Sequence, residues 1–553
     1  MGGVKVNVRA LLWDRRRLGV SGVMVVALSL LGLSGLETQV SVADTDPPTG
    51  TPATVSADPL PTWQIDGVAW SQTLVGNTVY AVGQFTKARP PGAAVGAATE
   101  VARANILAYN ITTGNLITSF NHTLDAQGLR VAASPDGSKI YVGGDFTTVD
   151  GQPRSHIAAF STATGALDAN FHPKVSNSVR AIVATNSTVY YGGNFFNVDG
   201  RTRTRLAASD AATGALSLTW KPAADDNTVY ALALSPDNTR VIVGGRFQKL
   251  NAQAHVGVGA VDTATGASAP WSSTPVPARS GTSFSYVTDL QVQGDTVYAG
   301  DDGEGSHWFD GRWAANVNTG DLVWLDNCYG ATYSVLPVGQ ALYSVSHAHD
   351  CSSLGAFPQP STSAWHRALA ETTYPTGTDQ SAPGTNSSYS HQPIPSLLHW
   401  FPTLSLGTFT GQFQAAWSVI GNTKYIALAG EFPRVEGKAQ QGLQRYAIKT
   451  VAPNKVGPVS SALTAPTAVA LTGGKVRVAW KATWDHDNSQ LKYEVLRDGG
   501  TTPVYSTTVG STFWALPSIS YVDSGLTSGS THTYKIRATD PSGNSITSAA
   551  SVS

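Results

Sequence analysis

A short motif ending in two glycines and a phenylalanine recurs along this chain, and it restricts the possible folds more than any other feature. The cleanest copies are Val142-Gly143-Gly144-Asp145-Phe146, Tyr191-Gly192-Gly193-Asn194-Phe195 and Val243-Gly244-Gly245-Arg246-Phe247. Weaker copies surround Gly83 and Gly430, and Tyr298-Ala299-Gly300 and Tyr343-Ser344-Val345 fit two further steps. The second glycines at 144, 193 and 245 set a period of about 50 residues, which belongs to repeat architectures. Within a unit, a short apolar run such as 179–184 precedes a turn, the glycine-ended run and a second turn at Asp150-Gly151, Asp199-Gly200 or Glu436-Gly437. A third run leads to Thr-Gly, as at Thr164-Gly165 and Thr213-Gly214, and a fourth ends in an aromatic such as Phe171 or Trp220. Four short strands joined by hairpin turns form one antiparallel sheet. One such sheet cannot bury both faces, but radial stacking does, and the sequence therefore predicts an all-β, seven-bladed β-propeller over 63–450. Phe85, Phe146, Phe195, Phe247 and Phe432 are read as packing between blades.

Composition agrees. Of 553 residues 55 are glycine and only 13% are charged, which suits many tight turns and not a helical bundle. The net charge is −1, and no Lys/Arg tract follows the extreme N-terminus, so nucleic acid is not an expected partner. Arg15, Arg16 and Arg17, the apolar stretch 18–36 and the small residues ending at Ala43 read as a signal peptide over 1–43. The expectations that follow are a secreted or cell-surface location and no membrane span after cleavage. Residues 44–62 read as a flexible leader, and 451–465 as a linker. Cys328 and Cys351 are the only cysteines, and export makes a disulfide between them the expected state.

The Gly-Gly-x-Phe-x-x-Val-Asp/Glu-Gly…Thr-Gly-x-Leu pattern resembles the secreted actinobacterial-type propeller repeats called delta-60 repeats. That resemblance implies a fold and an extracellular setting, not an activity. Residues 466–553 resemble a fibronectin type III domain: Trp480 stands at the buried tryptophan position, 493–499 match the strand C signature, and Leu526 with Tyr534 match the tyrosine corner.

No nucleophile elbow, zinc-protease helix, phosphate loop or calcium-binding EF-hand loop occurs. The position after the double glycine is occupied by Gln84, Asp145, Asn194, Arg246, Asp301 and Glu431, so the repeats present no uniform ligand ring. Departures gather in units five and six. Asp301, Asp302, Glu304, His307, Trp308 and Asp310 fall within ten residues, a carboxylate-rich loop of the kind that suits calcium or a glycosidase pair. In a strand His347 and His349 point to one face, and with the Asp350 carboxylate they could hold zinc or another transition metal. The bland alternative for both is a solvated turn, and no cofactor is evident. Trp308, Trp313, Trp324, Trp365, Trp400 and Trp417 crowd the same region, with Trp324 and Trp417 read as core, and the long segment 352–409 reads as an insertion covering a site.

The expected function is a non-enzymatic binding protein for extracellular polysaccharide or a surface protein, its site built from Asp301, Asp302, Glu304, His307, Trp308, His347, His349 and Asp350. A secreted glycoside hydrolase and a passive adhesin spacer are the alternatives.

Overall fold

The computed structural model describes residues 49–272, 276, 279–280, 283–304, 309–361, 364–379 and 389–553. The expected signal peptide, 1–43, lies outside them. Among the described residues, regular structure is β apart from single 3-10 turns at Ser352–Leu354 and Ser460–Ala462. No helix is long and apolar enough to cross a membrane.

One arrangement recurs seven times among the described residues. In the second copy Gly128–Ala133 pairs antiparallel with Lys139–Gly144, which pairs with Ile157–Ser161. The first strands of the seven are Val68–Val75, Gly128–Ala133, Val179–Ala184, Val229–Leu234, Ser283–Gln293, Thr332–Val338 and Ala416–Gly421. Each lies against the next, and the seventh lies against the first, so the sheets form a ring. The fourth position of a sheet is mostly reduced to one bridge, as at Phe160↔Leu167 or Ser209↔Leu216. In the seventh sheet the N-terminal segment supplies it: Ser56 N donates to Ala447 O and Leu60 N to Arg445 O, both at 2.9 Å.

The paired glycines follow from how closely these strands approach. A Cβ on Gly144, Gly193 or Gly245 would stand 2.1–2.3 Å from a carbonyl oxygen of the preceding strand (Gln127, Ser178 and Thr228). A Cβ on Gly143, Gly192 or Gly244 would stand 2.5–2.6 Å from Val179, Val229 or Val287 of the next sheet. The first glycine of each pair thus admits the neighbouring sheet and the second admits the partner strand. The first repeat inverts the arrangement, with Val82 in place of the glycine and Gly128 facing it. Phe85, Phe146, Phe195, Phe247 and Phe432 are all at most 2% exposed. Each packs on the preceding sheet: Phe146 with Tyr80 and Val82, Phe195 with Tyr141 and Ile157, Phe85 with Tyr425 and Leu443 of the seventh.

Residues 467–552 form two further sheets. Thr467–Leu471, Lys475–Lys481 and Ser518–Ser524 make one; Pro503–Gly510, Gln490–Arg497, Thr533–Thr539 and the short Ser545–Thr547 and Ser551–Val552 make the other. Trp480, Tyr493, Tyr534 and Ile536 fill the space between them, and Tyr534 Oη donates to Asp523 Oδ2 at 3.0 Å.

Three expected segments differ from their reading. The leader is not loose where it is described beyond Thr54: residues 54–58 are buried, because their backbone completes a sheet and Ala57 N donates to Asp487 Oδ2 at 2.6 Å. The linker is also held, since Val456 N donates to Asp58 Oδ1 at 2.6 Å and Thr483 Oγ1 to Val459 O at 2.7 Å. Residues 352–409 are not one covering loop, because His366–Thr372 is the third strand of the sixth sheet. Part of the remainder carries the C-terminal sheets. Phe357 and Phe401 meet Phe513 at 5.4 and 5.3 Å between ring centroids, and His366 stacks on Phe513 at 4.5 Å. Beneath this cluster is the Cys328–Cys351 disulfide.

Burial among phenylalanine rings lowers the His366 pKa to about 4. A histidine of ordinary pKa, about 6.5, takes up its proton on unfolding, so this residue's contribution is complete above that value and falls as pH drops toward 4. We therefore expect His366→Phe to leave the stability at pH 7.5 nearly unchanged and to raise it at pH 4.5 by about 2 kcal/mol, read by urea denaturation. An equal change at both pH values would show that His366 is not held neutral.

Candidate functional site

Each first strand carries a β-bulge at the same place. The pairing skips one residue between Ala69 and Ser71, Gly128 and Arg130, Val179 and Ala181, Val229 and Ala231, Val287 and Asp289, Thr332 and Ser334, and Ala416 and Ser418. A bulge re-aims the side chain of the skipped residue. Here those residues are Trp70, Leu129, Arg180, Tyr230, Thr288, Tyr333 and Trp417, and all seven line a single cavity of about 750 Å³. The cavity sits where the seven first strands meet, and its volume lies within the range of about 300–1,000 Å³ typical of ligand sites.

Its floor is a polar lattice. Arg130 of the second sheet reaches across the ring, both terminal nitrogens 3.1 Å from Asp289 Oδ1 of the fifth. Asp289 Oδ2 accepts from Ser334 Oγ at 2.9 Å and Val335 N at 3.2 Å, while Ser334 Oγ accepts from Val419 N. Asp289 is buried and Arg130 half-buried, and together these bonds tie the second, fifth, sixth and seventh sheets to one another.

One wall is aromatic. Trp70 and Trp417 meet edge to face at 5.0 Å, and Tyr333 lies 4.3 Å from Trp417. Both indole N–H groups are fixed: Trp70 Nε1 donates to Gln127 Oε1 at 2.8 Å and Trp417 Nε1 to Glu431 Oε1 at 3.3 Å. Gln412 and Gln414 line the cavity, and between them Phe413 is 58% exposed with a φ of +57°. A bulky side chain in the left-handed region is strained. Trp365, 48% exposed, lies beside Arg367, which in turn donates to Gln414.

Of the residues expected to form a site, Asp302 and His347 line this cavity. The pairing also corrects the repeat alignment. Asp301 and Ser346 pair or stand ahead of the bulge, where Gly144 stands in the second sheet, so Asp302 and His347 occupy the place of Asp145. Tyr286 Oη donates to Asp302 Oδ2 at 2.6 Å. Burial, with Arg367 and His349 nearby, lowers the His347 pKa to about 4. Its Nε2 accepts from Ala331 N at 3.2 Å, which puts the ring proton on Nδ1, 2.7 Å from Tyr333 Oη.

The other expected residues are elsewhere or undescribed. Asp301 is fully buried, takes Trp313 Nε1 at 3.1 Å, and has its pKa pushed well up by burial. His349 stacks on Tyr329 and bonds Gln359, and Asp350 bridges to Tyr329; neither lines the cavity. His307 and Trp308, and the side chain of Glu304, lie outside the described residues. Among the described residues no three His, Cys, Asp or Glu side chains gather as a metal site would require. Trp324 is core as expected, and so are Trp313 and Trp400. Trp417 is not core: it is a bulge residue facing the cavity.

The cavity-lining residues missed by sequence reading, above all Trp70, Arg180, Tyr230 and Tyr333, differ in chemistry from repeat to repeat. Their common mark is a fixed offset, thirteen or fifteen positions ahead of the second-glycine place.

Nothing among curated proteins matches this chain. The crystal structure of the Saccharomyces cerevisiae Sqt1 is similar over 62% of this chain and 99% of that one, at 9% identity and a TM-score of 0.24. Residues 135–171 match a family described as "Domain of unknown function (DUF5122) beta-propeller". That match spans the second sheet's Gly143-Gly144 strand and, with the all-β structure, supports a propeller-type protein.

Proposed function

We propose that this chain is a secreted or cell-surface binding protein whose seven sheets are the blades of a propeller. In this reading its C-terminal sheets are a fibronectin type III-like module, and its ligand is an extracellular polysaccharide held in the axial cavity. The observation that carries the proposal is the set of seven bulge residues. Their neighbours repeat for packing, whereas the bulge residues themselves vary and converge on one cavity with two tryptophans and two tyrosines. Sugars offer apolar ring faces for indoles and hydroxyls for amides, and this cavity supplies both through Trp70, Trp417, Gln127 and Gln414. A surface protein would need a broad apolar face rather than a recess of this volume.

Trp417→Ala is expected to weaken binding of cello-, xylo- and galacturono-oligosaccharides at least tenfold for whichever series binds, as read by intrinsic tryptophan fluorescence. Trp417→Phe, which keeps a ring at the site, should retain most of the affinity. No binding of any series, or binding indifferent to Trp417→Ala, overturns the proposal.

A second reading rests on one feature. Burial and the neighbouring Asp302 carboxylate raise the Asp310 pKa to about 8. A carboxyl group whose pKa is raised by burial near a second carboxyl group is the kind of pairing used in glycoside hydrolysis. Release of reducing sugar that disappears in both Asp302→Asn and Asp310→Asn would favour a hydrolase over a binding protein.

A further inference from the structure

The cavity has a second chemical pole facing its aromatic wall. Trp70, Tyr333 and Trp417 come from the first, sixth and seventh sheets, and Arg180 comes from the third, on the far side of the ring. The other arginines packed in the ring are committed to partners. Arg130 holds Asp289. Arg154 donates to Pro153 O and Asp168 O, Arg203 to Thr202 O and Ser217 O, and Arg205 to Ala224 O and Asp225 O. Arg180 differs from all of these. Among the described residues its side chain makes no hydrogen bond or ion pair: its Nε is buried without a partner, as those of Arg154 and Arg203 also are, but unlike theirs its terminal nitrogens are unbonded as well, and its one contact of note is the face of Tyr230 at 5.9 Å.

The nearby carboxylates are already engaged. Asp145 accepts from Ser178 Oγ and from Gln127 Nε2, Asp289 is held by Arg130, and Asp302 is bonded by Tyr286. A guanidinium in a recess stays charged at every accessible pH, and its planar fork of donors matches a carboxylate in two parallel hydrogen bonds. A tyrosine face beside it leaves the edge of the fork free to bond while screening one side from water.

We propose that the axial cavity reads a carboxylated saccharide, a uronic acid unit, with its ring on the Trp70–Trp417 wall and its carboxylate on Arg180. This inference rests on the polysaccharide reading above and narrows it from sugars in general to acidic ones. It also assigns a residue of the third sheet that the repeat pattern gives no reason to single out. Arg180 is a specificity-determining residue here and not a structural one, so its replacement leaves the fold undisturbed.

The test uses the full mature chain and three probes of equal length: trigalacturonate, neutral galactotriose and a sulfated galactotriose. Calorimetric titration at low salt is expected to show trigalacturonate binding at least tenfold tighter than galactotriose. Arg180→Gln should erase that preference, Arg180→Lys should keep part of it, and both variants should melt within a degree or two of the parent chain. Equal affinity for the acidic and neutral probes, or a preference that survives Arg180→Gln, overturns the inference. A sulfated probe bound as tightly as trigalacturonate also overturns it, since the site would then read charge and not the carboxylate. If galactotriose binds as tightly as trigalacturonate and Trp417→Ala abolishes that binding, the polysaccharide reading stands while this one falls; if trigalacturonate does not bind, this one falls, and the polysaccharide reading falls with it only if the cello- and xylo-oligosaccharides also fail to bind.

Discussion

A chain begun at Trp63 is expected to lose the cooperative unfolding transition of a chain begun at Thr49. The fourteen residues removed include the outermost strand of the seventh sheet. Val55 N donates to Tyr343 Oη at 3.0 Å, Ser56 N to Ala447 O and Leu60 N to Arg445 O. Arg445 Nη2 donates to Pro61 O at 2.6 Å and its Nε to Thr62 Oγ1 at 3.2 Å. Deletion would also uncover Asp487, which accepts from both Ser56 Oγ and Ala57 N. About eight buried hydrogen bonds at roughly 1 kcal/mol each approach the whole stability of a typical domain, about 5–15 kcal/mol. Circular dichroism through a urea titration would read the result. A transition with unchanged midpoint and slope in the shortened chain would mean that the ring is closed without this strand.

The largest effect from a single substitution is expected at Arg312. It is wholly buried, donating through Nε to Asp326 Oδ2 at 2.6 Å and through Nη1 to Ser344 Oγ at 2.9 Å, with Glu371 Oε1 also 2.8 Å from Nε. Burial alone would lower the guanidinium pKa, but Asp326 and Glu371 raise it instead. Glu371 has its own pKa pushed well up by burial, against the pull of Arg312. Asp326 is bonded by Arg312 through two nitrogens, and its Oδ1 also accepts from Cys328 N at 2.7 Å. Arg312→Met strands the Asp326 carboxylate and is expected to lower stability by about 3–5 kcal/mol. Arg312→Met combined with Asp326→Leu removes both charges and should recover most of that loss. A single variant within 1 kcal/mol of the parent in urea denaturation would show that the pair contributes little.

The parts of this molecule legible in its sequence are those fixed by sterics. Gly144, Gly193 and Gly245 stand where no Cβ fits, and Phe146, Phe195 and Phe247 fill the same gap each time, so both recur at a readable period. The cavity was less legible because its residues are free to vary once the bulge has aimed them inward: Trp70, Leu129, Arg180, Tyr230, Thr288, Tyr333 and Trp417 share a place and no chemistry. Asp302 and His347 stood out as breaks in the pattern, and both reach the cavity. Asp301 stood out equally but is buried against Trp313, since an acidic run in sequence alternates its side chains between the two faces of a strand. The held N-terminal segment escaped notice because its partners, Arg445 and Ala447, are nearly four hundred residues away, and a Pro/Thr/Ser composition marks a flexible leader only when nothing distant pairs with it.

That same distance sets a kinetic condition. The seventh sheet needs Ser56 and Leu60 beside Arg445 and Ala447, so the ring can close only after its last strand has been synthesised. The earlier sheets form from local hairpins, each available as soon as about fifty residues have emerged. Loop-closure entropy grows only slowly with length, so the delay costs little in final stability. It falls on the folding rate, which declines as native contacts grow more distant in sequence. Until closure, the outer strand of the seventh sheet, Leu443–Ala447, remains unpaired along its free edge, and an unpaired edge invites another chain. The species most prone to aggregate is therefore the nearly complete ring in its last step before joining.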